Sequence, residues 1–429
     1  MSLKNCVIEL LRKQYVRNIW KRVSKILITI GGVRLASYLT YLGIEWGKIN
    51  KDNPTVLCIS RDYFSKDIIE LRKRTNINYP CILGGYARFQ EYWFPKEMQI
   101  QTFYQKYAGP EKDKAISKSI KYARNIIQRA NKVKKIDAVM SANFDYWQDI
   151  GFKYVCKELN IPFLVLSREH VTIPASFEIV TDWYKESNYQ FHGTAIAVAG
   201  PSTAKLFEEC PILDQSNVWV TGLPRLDMWK EIKTDIELTK RPYITLLTFT
   251  EGYFVDEFFK ELVKLFAAES LKYSNQSIEF IVKCKNYDDK IAVLKILENH
   301  NISKLTFIYD TPLYDVLPKS RLVINYNSLS IVEAVIAKAK VAIPDWGECR
   351  RQDKYAMCTP DDPIIQKAVS FMKNAEDFRD IIQKSIEGKN DMLTSDVIND
   401  FANKYFYIPK DSITISQKVE EFIKFYIKN

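Results

Sequence analysis

Leu322-Val323-Ile324-Asn325-Tyr326-Asn327-Ser328-Leu329-Ser330-Ile331-Val332-Glu333-Ala334 is the stretch on which the fold turns. Its apolar start shows no polar alternation, as expected of a strand covered on both faces. The strand breaks into Asn and Ser, and a helix follows at once. Ser328 or Ser330 is placed to cap that helix, whose free N–H groups favour an anion. Glu333 lies one turn in, where a carboxylate can accept hydrogens from ribose hydroxyls. An ordinary strand-to-helix turn with a capping serine would use the same residues.

On either side, short apolar runs alternate with helical stretches. Strands are expected at Thr55–Ser60, Ile136–Ala142, Phe163–Ser167, Ala195–Ala199 and Val218–Thr221. A second series is expected at Ile244–Thr248, Ile278–Lys283, Leu305–Tyr309, Leu322–Asn325 and Val341–Pro344. Helices are expected between them, as at Lys114–Lys132, Asp256–Tyr273 and Ile331–Ala339. Such alternation gives parallel sheets with helices on both faces. Two series predict an α/β chain of two doubly wound, Rossmann-like domains facing a cleft. The expected divisions are a helical segment at 1–50, an acceptor domain at 51–235, a nucleotide-donor domain at 236–410 and a C-terminal helix at 411–429.

Ligands of such sheets bind beyond the carboxyl ends of the strands, so the residues just past each strand are the site candidates. Phe163–Ser167 runs into Arg168-Glu169-His170, where a Glu and a His offer a general base. Val218–Thr221 runs into Gly222-Leu223-Pro224-Arg225-Leu226-Asp227. There Arg225 suits a phosphate, and Asp227 is either a reacting carboxylate or a helix cap. Thr250 sits in a small-residue turn after the first strand of the second series. Lys283 and Lys285 follow another strand and suit an anionic leaving group.

The chain has 429 residues, 47% of them hydrophobic and 27% charged, which excludes a disordered chain and a polytopic membrane protein. Fourteen glycines exclude a collagen-like repeat. The eight cysteines form no C-x-x-C pair, and with only three histidines a Cys/His zinc site is not expected. The cysteines read as reduced and buried. The net charge of +10 is concentrated at the start. Lys4, Arg12, Lys13, Arg17, Lys21, Arg22, Lys25 and Arg34 stand there against Glu9 alone. Ile8, Leu11, Tyr15, Ile19, Val23, Leu27 and Ile30 recur at helical spacing among them, which makes a basic amphipathic helix. It is not a secretory signal, because its charges are spread throughout. Three placements stay open: packed on the body, lying on an anionic membrane, or spanning at 26–44. Spanning would bury Arg34 at a cost of about 2.5–3.5 kcal/mol.

Two of these segments resemble known proteins. The strand–Asn-Ser–x4–Glu-Ala helix at 322–334 looks like the donor-nucleotide element of GT-B glycosyltransferases. Val218-Trp219-Val220-Thr221-Gly222-Leu223-Pro224-Arg225-Leu226-Asp227 is similar to the Gly-x-Pro-Arg-x-Asp segment of CDP-glycerol glycerophosphotransferases and bacterial surface-carbohydrate biosynthesis proteins. The resemblance covers about residues 135–350. Polyol-phosphate transferases usually carry His-Gly on the first domain, where this chain has Arg168-Glu169-His170, and this favours sugar transfer.

The resemblance implies a glycosyltransferase of surface polysaccharide, lipopolysaccharide or capsule assembly. The donor would be a nucleotide-sugar, with CMP-sugars among the candidates, and the acceptor a saccharide or lipid-linked chain. Glu169, His170 and Asp227 are the catalytic candidates. Arg225, Thr250, Lys283, Lys285, Asn327, Ser328 and Glu333 are the donor-nucleotide candidates. No Asp-x-Asp occurs, so no metal is expected, and no cofactor beyond the nucleotide-sugar substrate. A cytoplasmic protein peripheral to the inner membrane face is expected, with no nucleic-acid partner. The alternatives are a CDP-polyol phosphotransferase and a nucleotide-sugar 2-epimerase.

Overall fold

A computed structural model describes residues 14–59, 64–83, 88–100, 102–168, 177–232, 234, 236–248, 257–326, 328–347, 356–390, 392–409 and 413–428. Among the described residues, thirteen strands form two sheets. The first contains β1 (Ile44–Glu45), β2 (Val56–Ile59), β3 (Cys81–Ile82), β4 (Ala138–Ser141), β5 (Phe163–Ser167), β6 (Ala195–Val198) and β7 (Val218–Val220) in the order β1-β3-β2-β4-β5-β6-β7. The second contains β8 (Tyr243–Leu247), β9 (Glu279–Lys283), β10 (Leu305–Ile308), β11 (Ser320–Ile324), β12 (Lys340–Pro344) and β13 (Val369–Met372) in the order β10-β9-β8-β11-β12-β13. All pairings are parallel except β1 with β3. The two-domain α/β architecture expected from the alternating pattern is therefore the one observed.

The apolar runs become central strands because both faces are covered. β2, β4, β5, β6 and β11 are buried along their whole length. Ala36, Ile126 and Val155, from the helices Gln14–Leu42, Lys112–Asn131 and Ile150–Glu158, belong to the core on one face of the first sheet. Ile68 and Leu71 of the helix Ser65–Arg74 pack on the other face, together with Val419, Phe422 and Ile423 of Ile415–Lys428. The C-terminal helix thus crosses back to the first domain, where Trp219 and Phe422 meet at 5.7 Å between ring centroids.

The N-terminal helix is not a separate layer. Thr40 and Tyr122 share a hydrogen bond of 2.7 Å, and Arg129 stacks on Tyr38 at 5.0 Å, fixing its second half to Lys112–Asn131. β1 follows directly and joins the first sheet. The helix kinks at Gly32, with φ +58°; in its first half Ile28 is buried in the core, while Ile26 and Ile30 are 61% and 82% exposed. Residues 1–13 lie outside the described residues. Among the described residues no helix is long and apolar enough to cross a membrane.

Two buried arginines fasten the link between the sheets to the second domain. Arg241 is fully buried and donates to the carbonyls of Thr234, Ile236, Ser320 and Ala337. Arg321 donates to those of Thr239, Arg241 and Ser385. The planar fork lets each guanidinium meet several carbonyls at once. Thr234 and residues 236–241 are thereby tied to β11. The return crossing is stitched by Tyr407 N–H to the Ala199 carbonyl at 2.8 Å and by the Ser202 hydroxyl to the Lys404 carbonyl at 3.0 Å. The six described cysteines are buried and form no disulfide.

Candidate functional site

Strand order locates the site before any side chain is considered. Doubly wound sheets bind ligands where the strand order reverses. In the first sheet that point lies between β2 and β4, and in the second between β8 and β11.

Beyond the first sheet, the helix Ser65–Arg74 begins with Lys66 and Asp67. Asp67 is fully buried. Its Oδ1 accepts the Arg225 backbone N–H at 3.1 Å, and its Oδ2 lies 3.7 Å from Arg168 Nε. One carboxylate therefore ties the ends of β5 and β7 to the helix after β2. Arg168 keeps its side chain 10% exposed, and its backbone N–H bonds the Ala142 carbonyl after β4 at 3.3 Å. The Nε of Arg225 is buried without a hydrogen-bond partner among the described residues. A buried donor left unpaired is costly, so Arg225 is suited to an incoming anion.

Lys283 ends β9 and is 8% exposed. Its ammonium donates to the Cys284 carbonyl at 2.7 Å and the Tyr309 carbonyl at 3.3 Å. Burial pulls its pKa below the usual lysine value, and the charge of Lys66 acts in the same direction. Lys66 belongs to the first domain and Lys283 to the second, so the two domains present like charges to one another. A polyanion between them would relieve that repulsion. Lys285 is exposed, and its backbone N–H bonds Asp289 at 3.1 Å.

At the end of β11, Asn325 is fully buried. Its side-chain oxygen accepts the Ser328 N–H at 3.3 Å and the Ser328 hydroxyl at 3.1 Å, while its amide donates to the Ser330 hydroxyl at 2.8 Å. The two hydroxyls are 2.6 Å apart. Neither serine caps the helix. Leu329 stands at the cap position of Ser330–Ile336, with no side-chain bond there. The expected serine cap is therefore corrected: the hydroxyls close a turn around Asn325. Glu333 is half-buried on this helix.

Asp227 also has a structural position instead of a reacting one. It is fully buried, with Oδ1 accepting the Ile415 N–H at 2.8 Å. Its Oδ2 accepts the Ser416 N–H at 2.7 Å and the Ser416 hydroxyl at 2.6 Å. It holds the start of the C-terminal helix, not the start of the next element as its sequence position suggested. Glu169, His170, Thr250 and Asn327 lie outside the described residues. The structure thus gathers Arg225 with Asp67 and Arg168, and Lys283 with Lys66. Asp67 and Lys66 were missed from the sequence. The strand-end rule would have found them, since they open the helix that follows β2.

No family model and no curated protein matches the sequence. Solved structures do match its shape. Staphylococcus aureus MnaA, solved with UDP, has 14% identity and a TM-score of 0.50, over 87% of this chain and 97% of that one. A Listeria monocytogenes protein assigned as a UDP-N-acetylglucosamine 2-epimerase has 14% identity and a TM-score of 0.51, over 88% and 97%. The UDP-GlcNAc 2-epimerase of Methanocaldococcus jannaschii has 12% identity and a TM-score of 0.50, over 87% and 99%. At these identities the likeness establishes the fold, which is the two-domain GT-B arrangement.

Proposed function

We propose that this chain is an enzyme acting on a UDP-sugar held between the two sheets, and that it inverts the sugar at carbon 2 without an acceptor. Two observations carry the nucleotide-sugar reading: the charge of Lys66, after β2, acts on Lys283 at the end of β9, and Arg225, after β7, keeps its Nε buried without a partner among the described residues. A diphosphate between them would satisfy the unpartnered Arg225 Nε and offset the repulsion between the lysines. The nucleoside would lie over β11, with Glu333 toward the ribose. The sugar would lie toward β5, where Glu169 and His170 follow in sequence. Inversion at carbon 2 requires its proton to leave as the C1–O bond to the diphosphate breaks, with UDP taking the electron pair and a C1=C2 double bond forming. UDP then adds back at carbon 1 as a proton is delivered to the other face of carbon 2, and a carboxylate and an imidazole can move these protons. Epimerisation is preferred over transfer because the similar structures of TM-score 0.50 and above include 2-epimerases covered over nearly their whole length.

A second reading is glycosyl transfer to a saccharide or lipid-linked acceptor at an anionic membrane surface. It is favoured by the exposed Val23, Ile26 and Ile30 on a helix whose sequence is rich in Lys and Arg. In that reading Lys283 and Arg225 would stabilise the leaving nucleotide.

Thermal shift with UDP, CMP, CDP and GDP tests the nucleotide. A ligand at 100 times its dissociation constant adds about 2.7 kcal/mol to stability. UDP is expected to give the largest rise, reduced in Arg225→Ala. A larger shift with CMP or CDP would replace the UDP assignment. No shift with any of the four would overturn the nucleotide-sugar reading.

A further inference from the structure

A second group of cations lies away from the cleft. The helix Ile150–Glu158, the start of β5 and the segment before β6 border a half-open cavity of about 350 Å³ lined by Lys153, Lys157, Phe163, Phe191, His192 and Thr194, among others. Phe163 begins β5, whereas Arg168 directly follows its other end, so about 13 Å of strand separates this cavity from the cleft residues.

The lining of the cavity brings two lysines and a histidine together. Lys153 is 2% exposed, and its ammonium donates to the Phe144 carbonyl at 2.8 Å and the Tyr189 hydroxyl at 3.2 Å. An ammonium has three donors, so one remains. The rings of Phe191 and Phe163 stand 5.1 and 5.8 Å from it. Lys157 lies one helical turn on, where like charges repel. The adjacent acid, Glu158, pairs with Arg124 instead. Among the described residues, no acid lines the cavity. Asp149 and Asp145 lie behind Lys153, outside the lining, and their charges offset part of its own, while Lys157 and His192 carry no such partner in the lining. His192 meets the ring of Tyr154 on its other side, at 6.4 Å between centroids. Its proton affinity is lowered by burial and then by Lys153 and Lys157.

We propose that this cavity binds a small organic anion, its charged head against Lys153, Lys157 and His192 and its apolar part against Phe163 and Phe191. The charged head is a carboxylate or a phosphate monoester. Such a ligand supplies an acceptor for the remaining Lys153 donor and offsets the repulsion between the two lysines. The site is separate from the cleft and does not depend on the reaction assigned to it.

The test is a proton NMR titration of the full chain with benzoate and with phenyl phosphate. The chain has three histidines, so the His192 ring signals are assignable from a His192→Gln variant. An anion beside an imidazole favours its charged form, so the His192 pKa is expected to rise on saturation with at least one probe. A response to benzoate alone assigns carboxylates, and a response to phenyl phosphate alone assigns phosphate esters. Lys157→Ala, at an exposed position, is expected to weaken binding about tenfold, while Lys66→Ala in the cleft leaves it unchanged. An unchanged His192 pKa with both probes would overturn the proposal. So would equal affinity in wild type and Lys157→Ala, or a loss of binding in Lys66→Ala.

Discussion

Arg225 and Asp227 stand two residues apart and have opposite roles. The Arg225 side chain keeps a buried donor without a partner among the described residues, whereas both oxygens of Asp227 are engaged by the start of the C-terminal helix. Arg225→Ala is accordingly expected to weaken UDP binding at least about tenfold with little loss of stability, as measured by calorimetry and urea denaturation. Asp227→Ala is expected to cost about 2–4 kcal/mol of stability, because it removes a cap and leaves buried donors unpaired. Activity per folded molecule should be retained, and a full loss of turnover at unchanged stability would return Asp227 to a reacting role. Lys153 gives a pH prediction. Burial lowers its pKa from 10.5 to about 8. Between those values the unfolded chain holds the proton and the folded chain does not, so stability attributable to Lys153 rises with pH across that window. Relative to Lys153→Met, wild type should gain on the order of 3 kcal/mol from pH 8 to pH 10.5. A parallel profile in the two proteins would contradict the assignment.

Among elements, the buried strands were the most legible. β5 has the limits Phe163–Ser167 expected from its apolar run, and β11 and β12 fall within one or two residues of expectation. β1 and β3 escaped because two-residue strands have no period to detect. β13, Val369–Met372, escaped because its apolar run is short and broken by Ser370. The misread capping serines have a local cause. Ser328 and Ser330 are the right residue types for a cap, but Asn325 is close enough to take both hydroxyls first. Asn325→Ala should therefore destabilise the second domain by about 1–3 kcal/mol, measured by urea denaturation. A negligible effect would mean the turn is held by other contacts. Gly222 marks a further position that sequence shows only as a turn. With φ +85° and an added Cβ only 2.4 Å from the Tyr407 carbonyl, it lets the return segment pass close to β7.

At the scale of the whole molecule, parallel sheets place their ligand-facing ends by topology alone, which is why post-strand residues could be nominated from sequence. Contacts between distant segments could not, and Asp67 with Arg168, Lys66 with Lys283 and Asp227 with Ser416 all depend on chain crossings. The excess charge is also a whole-molecule feature. Five of the eight basic residues at the start of the chain, Arg17, Lys21, Arg22, Lys25 and Arg34, belong to the helix Gln14–Leu42, whose second half packs on the body and whose first half exposes Ile26 and Ile30. The membrane reading predicts that the chain floats with anionic vesicles and that Ile26→Glu with Ile30→Glu abolishes flotation. Equal recovery of both proteins in the soluble fraction would remove it. The central claim, reaction of a UDP-sugar without an acceptor, is tested most directly by proton NMR of the full chain with UDP-N-acetylglucosamine alone. The account predicts a new anomeric signal from the 2-epimer, growing to a constant ratio. A spectrum that stays unchanged until a saccharide or lipid-linked acceptor is added would contradict it.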